Sequence, residues 1–517
     1  MHRFPRPTRP LLALTLCAAL GLAPVAGPGH LARAQSAPLP ALGDGAGMSI
    51  AAERRLGDSI ARDIYRDPDY LDDPVLTDYL GAVWQPLLGA ARARGDVAPE
   101  LAERMAWELM ISRDKRVNAF ALPGGYLGVN LGLLAVTDTP QELASVLAHE
   151  LSHVSQRHIA RMMSRQDQSA PWLMGAMILA MLAARANTEV ASAAMAGSQA
   201  VAAQTQLNFS RDMEREADRI GFGVLSGAGF DPLGIVTMFD KLQQAARHND
   251  DGSFPYLRSH PLTSERIADM QARVPMQAAG PRVGPVVAAL APPVSTALHR
   301  LMSARARVLA ENSPDRWRAW LQHGLGAGAT PADQYAAALA AHRLRQHDQA
   351  LRLATQLANQ AEADTRWATD ALLMELWLAP GAPQAPLAAR MAGLRDAALA
   401  SGQRTGLLLG AQVALATAAP ASATAQLQSW VQGRPRDAQA WQWLAQLQQV
   451  QGHRLRGLRA EAEARAAQLD YGAAVERFKA AQALPAADRA ADPMELAIVD
   501  ARRREVEALL RESVRED

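Results

Sequence analysis

One cysteine in 517 residues, Cys17, removes whole classes of architecture. A disulfide-stapled scaffold and a cysteine-lined structural zinc module both need several. An excess of one charge is missing too. Lys and Arg number 53 against 52 Asp and Glu, a net charge of +1, which argues against a nucleic-acid binder with its basic face. Aromatic residues make up only 5% while alanine is abundant, and alanine favours helix most, so the balance leans toward a mostly α-helical chain. Long apolar runs are absent as well. Pro171 to Ala184 is uncharged and strongly apolar. At about 1.5 Å per residue it reaches only about 21 Å, short of a hydrocarbon core near 30 Å. No transmembrane helix is therefore expected in the mature chain.

The N-terminus carries an export pattern. Arg3, Arg6 and Arg9 precede an apolar stretch from Leu11 to Gly27, and Ala32-Arg33-Ala34 has the A-x-A form of a cleavage site. Residues 1–34 read as a signal peptide cut near Ala34, and the Ala-, Pro- and Gly-rich residues 35–48 as a tether. A membrane anchor fits less well, because the run is short and contains Pro24. Leu14-Thr15-Leu16 before Cys17 lacks the small residue that lipoprotein processing needs, so the exported chain is expected to hold no cysteine.

The length exceeds what one hydrophobic core serves, so more than one domain is expected. A mostly helical stretch runs from about Ala51 to Arg113. Val117 to Leu122 reads as a strand, broken by Pro123-Gly124-Gly125 and resumed from Tyr126 to Asn130 as a hairpin or bent edge strand. A helix then begins with Thr139 as N-cap, Pro140 in its first turn and Glu142 as capping-box partner. Leu143, Val146, Leu147, Leu151 and Val154 form its apolar face. Another helix starts near Asn208 to Ser210 and ends around Ser226 to Gly229; a third follows Asp231-Pro232 to about His248. Residues 275–298, rich in Pro, Ala and Gly, read as a linker between residues 49–274 and a helical domain over 299–517. Tyr335, Ala338, Ala350, Ala354 and Leu357, then Trp441, Leu444, Ala474, Phe478 and Ala481, recur at tetratricopeptide-like positions, as degenerate repeats whose plainer alternative is a generic α-helical bundle.

The chemistry concentrates in His149-Glu150-Leu151-Ser152-His153, an H-E-x-x-H sequence on a helix. Residues four apart share a helical face, so both imidazoles can reach one ion, while Glu150 points to the position where water would be activated. A third protein ligand is wanted. Glu214 and Asp218 share a face of the following helix; one can bind metal while the other bonds a ligand imidazole or donates a proton. Glu216 points elsewhere and reads as solvated. Spacing alone does not choose among Glu214, Glu216 and Asp212.

The run NAFALPGGY at Asn118 to Tyr126, the HELSH sequence and E-x-x-A-D at Glu214 to Asp218 together resemble the M48 family of zinc metallopeptidases. The resemblance implies a mostly α zincin-type catalytic domain with a small β-sheet over 49–274, followed by the TPR-like repeats. It implies one zinc ion per chain held by His149, His153 and Glu214, with Glu150 as base. Asp218 becomes proton donor or orienter of a histidine. Asn118 and Phe120, on the expected edge strand, and Arg211 are candidates for substrate contact. With the export signal, it further implies a periplasmic endopeptidase cleaving unfolded or misfolded polypeptides in outer-membrane protein quality control, its repeats meeting the assembly machinery. The alternative is a chaperone or docking module whose zinc site is closed or structural. Peripheral membrane contact is left open.

His260, in Ser259-His260-Pro261, reads as a fourth ligand that closes the site, as a transition-state donor, or as a loop residue capping the next helix. His158 reads as a surface residue or an outer neighbour of the site, not as a ligand. Residues 171–184 read as a buried core helix or as a Met-rich lid.

Overall fold

A computed structural model describes residues 48–165, 210–247, 253–279 and 294–516. The expected signal peptide, the tether apart from Met48, and the apolar segment 171–184 lie outside the described residues.

Helix α1 (Ile50–Arg66) starts at Ser49, whose hydroxyl accepts from the Ala52 N–H. Helix α2 (Pro74–Arg94) combines an Asp73 cap, a proline in its first turn and a left-handed Gly95 at its end, so its limits are set locally. Short α3 (Pro99–Arg104) follows. The helical reading of Ala51 to Arg113 then fails, because Glu108–Ser112 is strand β1. Its Glu, Leu and Met favour helix individually, but parallel pairing with β3 (Tyr126–Asn130) overrides that preference.

Strand β2 (Ala119–Leu122) pairs antiparallel with β3 through the expected hairpin. Gly124 and Gly125 turn the chain at φ 75 and 87, which glycine adopts without a Cβ penalty. The sheet order is β1-β3-β2, leaving β2 at one edge. A helix absent from the sequence reading, α4 (Leu131–Val136), leads on to α5 (Pro140–Ser155).

Helix α5 is the centre of this half. All its residues but Gln141 are buried, and the helix packs against α2, β2, α7 (Arg211–Gly227) and α8 (Leu233–Arg247). Thr139 caps it as expected, accepting from Glu142 N at 3.3 Å. The Glu142 carboxylate does not complete the box on Thr139. It accepts from the N–H of Asp138 at 2.8 Å and pairs with Lys241 Nζ at 2.7 Å, drawn one residue back by that cation on α8. Helix α6 (His158–Arg165) follows α5 after a sharp turn. Short α9 (Tyr256–Ser259) precedes α10 (Ser264–Ala279).

Helix α10 continues through Pro275 to Ala279, and α11 (Thr296–Ala310) has begun before 299, so helix occupies both ends of the segment read as linker. Beyond it the chain is a succession of helices, most of them packed on the next or the next but one. Four connections share one form. Residues 344–346, 417–419, 451–453 and 468–470 are three-residue turns whose middle residues, Arg345, Ala418, Gly452 and Leu469, all have positive φ. That recurrence is what a helix-turn-helix repeat produces. Tyr335, Ala338, Ala350, Ala354, Leu357, Trp441, Leu444, Ala474, Phe478 and Ala481 are all buried. The described residues fall in one compact unit, and a continuous apolar core among them runs from Leu71 to Val413.

Candidate metal centre

Two helices and one loop build the centre. Helix α5 supplies His149, Glu150 and His153; α7 supplies Glu214 and Asp218; the loop after α9 supplies His260. The helices can meet closely because α7 has Gly221 at the crossing. A Cβ there would lie 3.2 Å from the carbonyl of Ala148 and the nitrogen of His149. Ser210 fixes the start of α7, accepting from Met213 N at 3.3 Å. Glu214 and Asp218, one turn apart, thus face α5 together.

One donor atom from each of His149, His153, Glu214 and His260 lies within 4.8 Å of the others, and all four residues are buried. His149 Nε2 is 3.0 Å from His153 Nε2 and 3.3 Å from His260 Nδ1. Glu214 Oε1 is 3.4 Å from His153 Nε2 and 3.0 Å from His260 Nδ1. Ligands at about 2.0–2.1 Å from a tetrahedral ion stand about 3.3 Å apart, so this donor set and its spacing fit zinc.

Outer contacts aim these groups. His149 Nδ1 faces Asp218 Oδ1 at 3.0 Å. Arg266 then holds Asp218 through two nitrogens, reaches Glu214 Oε2 at 2.8 Å and donates to the Pro261 carbonyl at 2.8 Å. The His260 ring stacks on Tyr256 with centroids 4.6 Å apart. That segment is tied to the strand lead-in, since Val117 N–H donates to the Ser253 carbonyl at 2.8 Å. Glu150 is anchored by one oxygen only. The Ala121 N–H on the free side of β2 donates to Oε2 at 3.0 Å, while buried Oε1 has no aligned partner among the described residues and lies 3.4 Å from His260 Nε2.

The electrostatics follow from these contacts. Burial raises the Glu150 pKa above the usual carboxylate value. Burial also opposes charge on His149, but its bonds to Asp218 and Glu214 win and push its pKa up to about 10. Glu214 and Asp218 would likewise be raised by burial. His260 and His149 hold Glu214 well below the carboxylate range, and Arg266 and His149 lower Asp218. His153 is lowered by burial, and so is His158, to about 4.

The expected residues do not all converge. Asn118 is buried before β2, and Phe120 on β2 lies across Gly128 of β3. Arg211 is exposed in the first turn of α7. The neighbouring carboxylates pair with other arginines, Asp212 with Arg215 and Glu214 with Arg266. Glu216 is not simply solvated: it meets His158 Nε2 at 3.2 Å and Arg161 Nη1 at 2.9 Å. Arg266 was missed in the sequence, although a cation in the first turn of α10 opposes the helix dipole and signals an acidic partner.

A buried His, His and carboxylate set with an adjoining glutamate, beneath the free edge of a small sheet, defines an HExxH metallopeptidase. The pattern of peptidase family M48 matches residues 93–274. A Vibrio cholerae protein provisionally named beta-barrel assembly-enhancing protease is 33% identical over 381 residues, 71% of each chain. The Escherichia coli beta-barrel assembly-enhancing protease is 35% identical over 268 residues, 51% of this chain and 52% of that relative. The Arabidopsis thaliana mitochondrial metalloendopeptidase OMA1 is 30% identical over 195 residues, 38% of this chain and 36% of that relative. The chain belongs to peptidase family M48, a family of metal-dependent peptidases.

Proposed function

We propose that this chain is a zinc endopeptidase of the periplasm that cleaves unfolded or misfolded polypeptides, with outer-membrane proteins as clients. The observation that carries the reading is Glu150, buried and held by one oxygen while the other faces the cluster. A structural zinc site has no use for such a group.

His149, His153 and Glu214 would hold the ion. Bound zinc supplies Lewis acidity, which activates water and polarises the scissile carbonyl. Glu150 Oε1 accepts the proton of the attacking water, and its raised pKa lets it return that proton to the leaving amine. Asp218 has both oxygens engaged by His149 and Arg266, which supports its role as orienter of His149 over proton donor. The free side of β2 can receive an extended peptide as an added strand, giving main-chain bonds with little side-chain demand. Asn118 and Phe120 would contact substrate there, and Arg211 at the start of α7 would meet it farther out. The export pattern over 1–34 and the names of the Vibrio and Escherichia relatives support the compartment and the clients. The helices over 299–517 are then the surface for the assembly machinery.

A second reading has its own observation. His260 Nδ1 lies among the ligand atoms, so it can serve as a fourth donor and hold the site closed, leaving a docking or chaperone role dominant. One experiment separates the readings: zinc content and casein cleavage of the mature wild type, Glu150→Gln and His260→Ala. Zinc in wild type and Glu150→Gln, with cleavage by wild type alone, supports the peptidase. Zinc in both with cleavage only after His260→Ala favours the closed site, and no zinc in either rejects the metal centre.

A further inference from the structure

A metal-ligating imidazole presents one nitrogen to the ion, and whatever bonds its other nitrogen fixes its tautomer and orientation. His149 uses Asp218 for this, a carboxylate neutralised by Arg266. His153 is treated differently. Its Nε2 faces the cluster, and its Nδ1 lies 2.8 Å from Nδ1 of His158. Two imidazole nitrogens at that distance share one proton. With Nε2 of His153 committed to the cluster, its Nδ1 carries the hydrogen and His158 Nδ1 accepts. The His158 proton then sits on Nε2, which donates to Glu216 Oε2 at 3.2 Å, and Arg161 Nη1 donates to the same oxygen at 2.9 Å. His153 and His158 are fully buried, Glu216 is half-buried and Arg161 is exposed, so the chain runs from the centre to the surface.

The backbone is bent to make this contact. On a straight helix, five residues of advance place a side chain about 140° around the axis from where it started. Helix α5 instead ends at Ser155, and Arg157 takes φ 52, a left-handed value unusual for a residue with a Cβ. Arg157 Nε donates to buried Glu53 Oε2 at 2.8 Å, which holds the turn, and α6 starts with His158 brought back beneath His153. Strained backbone maintained by a partly buried ion pair accompanies a specific placement.

We infer that His158 is a positioning residue for the metal centre, fixing the tautomer of His153 through a hydrogen-bond chain that ends on Glu216 and Arg161. The inference rests on the reading of His153 as a metal ligand. The arrangement has a physical logic. A second carboxylate placed directly against His153 would add a buried negative charge beside Glu214 and Asp218, whereas a neutral imidazole passes on the pull of Glu216 and leaves the charge near solvent.

The test is zinc affinity of the mature full-length chain, measured by competition with a chromophoric chelator, alongside the thermal midpoint of the metal-free protein. His158→Leu keeps bulk without an acceptor and is expected to weaken zinc by about 10–100-fold. His158→Asn places an amide oxygen near the former Nδ1 and is expected to recover most of that loss, although it fills less space. Glu216→Gln, at a half-buried site that tolerates change, is expected to weaken zinc several-fold without moving the metal-free midpoint. Equal losses in the Leu and Asn variants, or wild-type affinity in Glu216→Gln, overturn the chain. His153→Ala separates the premises. Unchanged zinc affinity there removes the ligand reading itself, whereas its loss beside wild-type affinity in His158→Leu removes only the inference about His158.

Discussion

Arg266 lays two guanidinium nitrogens against both oxygens of Asp218, Nε at 2.6 Å from Oδ2 and Nη2 at 2.8 Å from Oδ1. The same group reaches Glu214 and the Pro261 carbonyl, so a single cation joins a candidate ligand, the carboxylate that faces His149 and the loop that carries His260. Arg266→Met leaves two buried carboxylates without their counter-charge. Breaking one side of a buried pair costs about 3–5 kcal/mol, and loss of outer-shell support costs about 10–100-fold in metal affinity. Urea unfolding of the metal-free variant and a zinc titration are expected to show both losses. Arg266→Lys should recover little, since a point charge cannot reproduce the two-pronged contact.

A second buried arginine joins the halves of the chain. Arg305 on α11 pairs with Asp73 at 2.5 Å and with Glu375 at 2.8 Å, while Asp73 also caps α2 by accepting from Leu76 N at 2.9 Å. These two duties can be separated. Asp73→Ser keeps a capping oxygen and removes the charge, so it should cost about 3–5 kcal/mol. Asp73→Ala loses the cap too, for about 1 kcal/mol more. Equal urea midpoints for the two variants would show that the cap contributes nothing.

The parts of this architecture that were legible in sequence are those decided within a few residues. Thr139, Pro140 and the H-E-x-x-H spacing fix the start of α5 and one face of it without outside help. The choice between Glu214 and Glu216 was not legible, because it depends on the rotation of α7, which is set by how closely Gly221 lets it approach Ala148. Whether His158 is a surface residue or an outer neighbour of the site was not legible for a related reason. Its spacing from His153 points away on a straight helix, and nothing local announces that Arg157 will adopt φ 52. Strand β1 was read as helix since Glu, Leu and Met carry no alternation, and the deciding partner is β3.

Gly221 provides a third test, in which two effects oppose each other. Alanine in a helix interior gains about 1 kcal/mol over glycine. Against this, a Cβ 3.2 Å from the Ala148 carbonyl is tight and pushes α7 outward by a few tenths of an ångström. Gly221→Ala is expected to hold its thermal midpoint near the wild type yet bind zinc more weakly, since Glu214 and Asp218 ride on the displaced helix. Gly221→Val adds more atoms and less helix preference, so overpacking of about 1–3 kcal/mol should lower the midpoint as well. Wild-type zinc affinity in both variants would mean that the crossing does not set the ligand positions.

His299 on α11 supplies the pH dependence. Its Nε2 donates to the Thr137 carbonyl at 2.8 Å, and its Nδ1 accepts from the Tyr79 hydroxyl, so the ring must be neutral to keep both bonds. Burial lowers its pKa below the ordinary 6.5, outweighing the Thr137 bond that favours charge. Above 6.5 neither the folded nor the unfolded ring is protonated, and the full stability is present. As pH falls below that value the unfolded ring takes up a proton and the folded ring does not, so stability is lost until pH passes the lowered folded value. One such group removes up to about 1.4 kcal/mol per pH unit within that window. His299→Gln can still donate to Thr137 but does not titrate. Urea midpoints of wild type and His299→Gln between pH 8 and pH 5 should therefore diverge only below about 6.5, the wild type falling more steeply. Parallel curves would show that the His299 ring has the same pKa folded and unfolded, and a wild type that gains on the variant as pH falls would show that the ring is charged in the folded state.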